Sequence, residues 1–308
     1  MRIATPAAVA RLLTRPLPFR DRELPLHDTD ADPGLFGPGS ATWRVMAEPL
    51  LMLGGGRALL MQAAHPLVAE GAIEHSTYAT DPFGRFERTV EWVTVVCFGT
   101  TAEARRTSRH VNRLHGRVRG DLPRAHATAA LRTGTSYTGR DPELLRWVHA
   151  TFVDTMLVAH DAFVGGLSPA DADRFVREWD AVAALMGVPQ GLLWRDRAAL
   201  SAYVDEQVSK GAVIPGGGSR LVSQTVLNPP LSRAALRPAW AMLGFTTVGL
   251  LPAPIRDGYG LGWTPMHSAA HAALCASVRR LRPTLPGRMR TSPVYDWAMA
   301  RCHGRLAA

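Results

Sequence analysis

Helix punctuation is the feature that most constrains this chain. Pro, Gly, Ser, Thr and Asp recur as starts and stops, and apolar residues between them return at helical rather than alternating spacing. Ser40 reads as an N-cap for a helix carrying Trp43, Met46, Leu50 and Leu53. Further helices are expected over 57–64 and from Pro66 to about Thr77. Phe83–Phe98 follows, closed by Gly99, and then a helix from Thr101 to Gly120. Asp141-Pro142-Glu143 opens a long one through Trp147, Phe152, Met156 and Phe163, stopped at Gly165-Gly166. Others run from Ser168-Pro169 to Met186, over 198–208, from Pro229-Pro230 and Ser232 towards Leu243, from Thr264-Pro265 to Leu281, and from Val294 to Cys302. Period-2 alternation is nearly absent. The pattern predicts an all-α fold: a single large helical domain of nine or ten helices over 41–308, with 1–40 as a Pro- and Gly-rich N-terminal arm or cap.

Two glycine runs invite a phosphate reading. Gly54-Gly55-Gly56 follows no strand and precedes no Gly-Lys-Ser/Thr, so it predicts close helix–helix approach instead. Gly216-Gly217-Gly218 reads as a mobile loop. The net charge of +9 is made almost entirely of arginine, with Lys210 the only lysine. These arginines are spread along the chain with no basic block and no interleaved aromatics. That argues against nucleic acid and leaves anionic surfaces or substrates open. Cys97, Cys275 and Cys302 are far apart and suggest neither a disulfide framework nor a zinc knuckle. No signal peptide is read at the N-terminus, and Pro238–Ile255 reads as buried core rather than a membrane span. The expectation is a cytoplasmic monomer or homodimer.

Chemistry concentrates between Gln62 and Gly120. On a helix over 83–98, Arg85, Thr89, Trp92 and Val96 share a face. On the next, Val111, His115 and Val118 share the core side, with Arg119 one turn further along. Two readings stand for His115: a core histidine satisfied by a backbone carbonyl, or an axial ligand to a metal or haem iron. A haem pocket needs apolar walls, one ligand, and cations for two propionates. Val111, Leu114 and Val118, with the Trp92/Val96 helix, would supply walls; Arg85, Arg88 or Arg119 would supply cations. His65 and His75 compete for the same cavity. His149 and His160 share a face of the long central helix. His267 and His271 lie at i, i+4 without a metalloprotease frame.

The string Gln62-Ala-Ala-His65-Pro66 … His75-Ser76 … Asp81-Pro82 … Arg85 … Arg88-Thr89 … Phe98-Gly99 … His115 … Trp147-Val-His149-Ala-Thr151 resembles the DUF2236 family. That is the family of the latex-clearing proteins (rubber oxygenases) and the mpaB-type oxygenase. The resemblance runs from about Ser40 to Arg290. It implies a globin-like helical core binding one haem b, with His115 as axial iron ligand. It also implies Arg85 and Thr89 on the distal side, dioxygen as co-substrate, and cleavage of a carbon–carbon double bond. Some family members carry a lysine where this chain has Arg88. A guanidinium offers no free lone pair to iron, so a lysine-capped state is not expected here.

The expected function is a haem-dependent oxygenase acting with O2 on a small apolar, isoprenoid or lipid-like molecule. Arg119 or Arg256 would pair with propionates. The alternatives are a haem-binding sensor or carrier without turnover, and a haem-free helical protein holding an apolar ligand.

Overall fold

The computed structural model describes residues 32–304, apart from 79, 212, 232 and 233, so most of the expected arm lies outside the described residues. The chain forms α1 (Ala41–Met46), α2 (Gly55–Ala63), α3 (Pro66–His75), α4 (Pro82–Phe98) and α5 (Thr101–His115). A two-stranded antiparallel sheet follows, β1 (Arg119–Asp121) with β2 (Ser136–Thr138). Then come α6 (Pro142–Phe163), α7 (Pro169–Glu178), α8 (Asp180–Met186), α9 (Arg197–Ser209) and α10 (Gly217–Leu227). The last are α11 (Arg237–Leu250), α12 (Ala253–Tyr259), α13 (Pro265–Leu281), α14 (Gly287–Arg290) and α15 (Pro293–Cys302).

Local chemistry sets most of the helix starts. Asp81, Thr100, Asp141, Ser168 and Thr264 each accept a backbone N–H of the first turn through their side chains. Proline at the first turn of α3, α4, α6, α7 and α13 removes a donor that would have no partner there. Thr100 and Glu103 complete a reciprocal capping box.

Helix α6 is the central column. Trp147, Val153, Leu157 and Phe163 sit at or near zero exposure, among Trp43, Phe175 and Trp179 from other helices. The triple glycine lets backbones approach closely. A Cβ on Gly54 would lie 2.8 Å from the Ala159 methyl, and one on Gly56 would lie 2.2 Å from Thr247 Oγ1. Beside this contact Arg57, 3% exposed, reaches Asp154 at 2.7 Å, Thr155 Oγ1 at 2.6 Å and the Leu250 carbonyl at 2.8 Å. One buried guanidinium thus ties α2, α6 and α11.

The fold departs from the sequence reading in several places. The all-α class holds, with more helices than nine or ten because the segment expected over 168–186 divides at Glu178 and extra short helices appear. The helix expected to reach Gly120 ends at His115, and Arg119 stands on β1. Gly216–Gly218 is no free loop. It begins α10, and a Cβ on Gly216 or Gly217 would meet the Ala125–His126 backbone within 3 Å. The helix expected towards Leu243 instead begins at Arg237 and runs to Leu250 (Ser232 falls outside the described residues). Pro238–Ile255 is not uniformly buried: Thr246, Thr247 and Leu250 face inward, while Met242 is 54% exposed. No helix among the described residues is long and apolar enough to cross a membrane.

Candidate functional site

Helices α4 and α5 form a hairpin that turns at Gly99-Thr100. Arg85 lies 14 residues before Gly99 and His115 lies 15 after Thr100. Both helices advance about 1.5 Å per residue, so the two side chains stand at the same level. Burial, and then the positive charge of Arg85, push the His115 pKa below the ordinary histidine value. The ring is therefore neutral at pH 7. Its Nδ1 is buried with no hydrogen-bond partner among the described residues.

The neighbouring polar groups are also unsatisfied. Ser108 lies two turns before His115 on the same face, and its Oγ is buried without a partner among the described residues. Trp92 Nε1 on α4 is in the same condition. Val111, one turn before His115, is half-buried. The Arg85 guanidinium sits 4.7 Å over the Tyr78 ring and makes no ion pair or hydrogen bond among the described residues. Burial lowers its pKa, the sign of a cation held where water does not solvate it well. Tyr78 in turn is pushed up to about 12 by burial.

Accessibility adds a second clue. Burial pushes the pKa of His65 and of His149 down to about 4, yet both keep accessible surface, as do Arg85 and His115. All four side chains are thus half-buried rather than sealed in the core. His65 caps α3, its Nδ1 accepting from the Leu67 N–H at 3.3 Å, which puts any proton of the neutral ring on Nε2. His149 lies between the rings of Trp179 and Trp194, 6.3 Å from each.

The hairpin therefore sets Arg85 beside His115, with Trp92 and Val111 half-buried on the same two helices, and it turns the other predicted groups elsewhere. Thr89 is exposed and donates to the Arg85 carbonyl at 3.0 Å. Arg88 points outward to Thr77 Oγ1 at 2.9 Å and Asp81 at 3.4 Å, because the N-cap Asp81 lies two turns back and the loop before it carries Thr77 within reach. His75 is exposed, and its Nε2–H donates to the Arg119 carbonyl at 2.9 Å. Arg119 is exposed, with its guanidinium on the Gly116 carbonyl at 3.3 Å. Arg256 donates to the Leu251 carbonyl at 2.7 Å and lies over Trp263, capping α11. Of these cations only Arg85 has no hydrogen-bond acceptor. His267 is exposed and caps α13, and no cluster of three metal-binding side chains occurs among the described residues.

Sequence reasoning missed what holds the chain that follows His115. The chain leaving α5 is anchored to α3 by two carboxylates one turn apart. Glu70 accepts from His126 Nδ1–H at 2.5 Å, and Glu74 accepts from the Tyr137 hydroxyl. Carboxylates at i, i+4 on an otherwise apolar helix were the available signal; their partners, more than fifty residues away, were not.

Haem b can be tested against these residues. A neutral imidazole, an enclosed cation without an anion, and half-buried Trp92 and Val111 walls match an iron ligand, a carboxylate partner and apolar faces. The donor set fits.

Residues 43–280 match the family described as ER-bound oxygenase mpaB/B'/Rubber oxygenase, catalytic domain. The uncharacterised protein Rv2237 of Mycobacterium tuberculosis is 28% identical over 149 residues, covering 47% of this chain and 55% of that protein. The uncharacterised protein Mb2261 of Mycobacterium bovis matches to the same extent. The chain thus spans about half the length of these curated relatives. No solved structure matches.

Proposed function

We propose that this chain, which belongs to the mpaB/rubber oxygenase catalytic-domain family, is a haem b-dependent oxygenase acting with O2 on an apolar molecule. The observation that carries the reading is the neutral, half-buried His115 facing an Arg85 that pairs with no carboxylate among the described residues.

His115 would hold the iron through Nε2, since Nδ1 is fully buried. Haem b would supply the redox-active iron on which dioxygen chemistry depends. Arg85 keeps a positive charge in a poorly solvated place, where it stabilises negative charge more than it would in water. Its stacking on Tyr78 fixes the direction of the guanidinium. Thr89, by bonding the Arg85 carbonyl, braces the same turn of α4. Trp92 and Val111, half-buried on the same two helices, would offer apolar surface to an apolar substrate. His65 has a proton on Nε2 and resists further protonation near neutral pH, so it serves as a neutral donor rather than a cation.

Reduced, haem-loaded protein supplied with isotopically labelled dioxygen and an isoprenoid alkene tests this. The expected result is loss of alkene and labelled carbonyl products, with turnover falling at least tenfold in Arg85→Ala. A stable oxygen complex with no loss of alkene would instead mark a carrier or sensor.

A further inference from the structure

Five of the chain's arginines lie within residues 105–117, and α5 turns four of them to one side. On α5, Arg105, Arg106, Arg109, His110 and Arg113 are all exposed. At about 100° per residue they fall within an arc of roughly 140°. The opposite side of the helix carries Ala104, Ser108, Val111 and His115, all buried or half-buried. Arg117 follows, also exposed, just past the helix end. None of these five arginines has an ion pair or side-chain hydrogen bond among the described residues. The acid of the helix, Glu103, is buried and engaged in the capping box, so α5 carries no acid on its exposed face. Leu114, expected from the sequence as a pocket wall, lies instead at the rim of the arc, 46% exposed.

We propose that this outer face of α5 is a docking surface for an anionic lipid membrane. Guanidinium groups pair with phosphate in bidentate fashion, and clusters of four to eight basic residues on an amphipathic helix suffice to hold a chain at an anionic headgroup layer. A protein interface depends on a buried aromatic or aliphatic centre; the arc has none. Single-stranded nucleic acid binding depends on aromatic stacking platforms; α5 contains no aromatic ring apart from its histidines. Leu114 at the edge matches the apolar layer beneath the headgroups, which a nucleic acid does not offer.

Co-sedimentation of the full chain, without added haem, with phosphatidylglycerol/phosphatidylcholine vesicles is the test. Binding is expected to the mixed vesicles, reversed by salt, and absent with phosphatidylcholine alone. The triple variant Arg105→Gln, Arg109→Gln, Arg113→Gln is expected to lose on the order of 100-fold in affinity with an unchanged melting temperature. The charge-matched variant Arg195→Gln, Arg237→Gln, Arg280→Gln is expected to bind as the parent does. Equal binding to phosphatidylcholine, equal loss in both variants, or tighter binding to duplex DNA at the same phosphate concentration would overturn the proposal.

Discussion

The guanidinium of Arg85 stands level with the imidazole of His115 across the α4–α5 hairpin, and its charge adds to burial in keeping that ring neutral. Removing the charge therefore raises the His115 pKa. In haem-free Arg85→Gln protein, the His115 ring proton followed by NMR is expected to titrate at higher pH than in the parent, still below 6.5 because burial remains. An unchanged titration would show that the two groups do not feel one another.

Arg57 answers to a different rule. Its ion pair with Asp154 is buried, so Arg57→Met strands a carboxylate. The expected cost is about 3–5 kcal/mol in urea unfolding. The double variant Arg57→Met, Asp154→Asn is expected to recover much of that loss, since the stranded charge is gone.

Gly56→Ala places a methyl where Thr247 Oγ1 now lies. A loss of about 1–3 kcal/mol is expected. Adding Thr247→Ala removes the colliding atom, so the double variant is expected to lose less than the sum of the two single ones, measured by thermal unfolding.

Helices α4 and α5 were legible because their boundaries are written locally. Asp81-Pro82, Gly99 and the Thr100–Glu103 box need no distant partner. The end of α5 was not. Each strand after it is three residues long, too short to show alternation, and its place depends on Glu70 and Glu74 reaching back from α3. That pairing moved Arg119 off the helix that sequence reasoning had extended through it. His115 and Arg85 were visible as polar residues on apolar faces. Tyr78, which fixes Arg85, sits in a turn with no periodicity to mark it. Arg88 illustrates the converse: a residue notable in the sequence that the fold turns outward, because Thr77 and Asp81 lie within its reach. The basic arc on α5 follows from helical spacing alone, once the helix is known to end at His115.

Acid is expected to weaken the fold through His65 and His149. Both have folded-state pKa values near 4, below the unfolded value of 6.5, so the unfolded chain binds more protons between those limits. Their contribution is complete above pH 6.5 and is lost as pH falls towards 4. It amounts to at most about 3 kcal/mol each, less where the rings meet solvent. His149→Gln is expected to flatten the dependence of melting temperature on pH over that window, and a slope equal to the parent's would contradict it.

The most direct measurement of the central claim is an absorption spectrum of the purified full chain titrated with haemin, oxidised and then reduced. A saturable Soret band is expected, lost in His115→Gly, restored there by added imidazole, and retained in His75→Ala. A parent-like band in His115→Gly without imidazole, or no band in the parent, would contradict the assignment of His115 as the iron ligand.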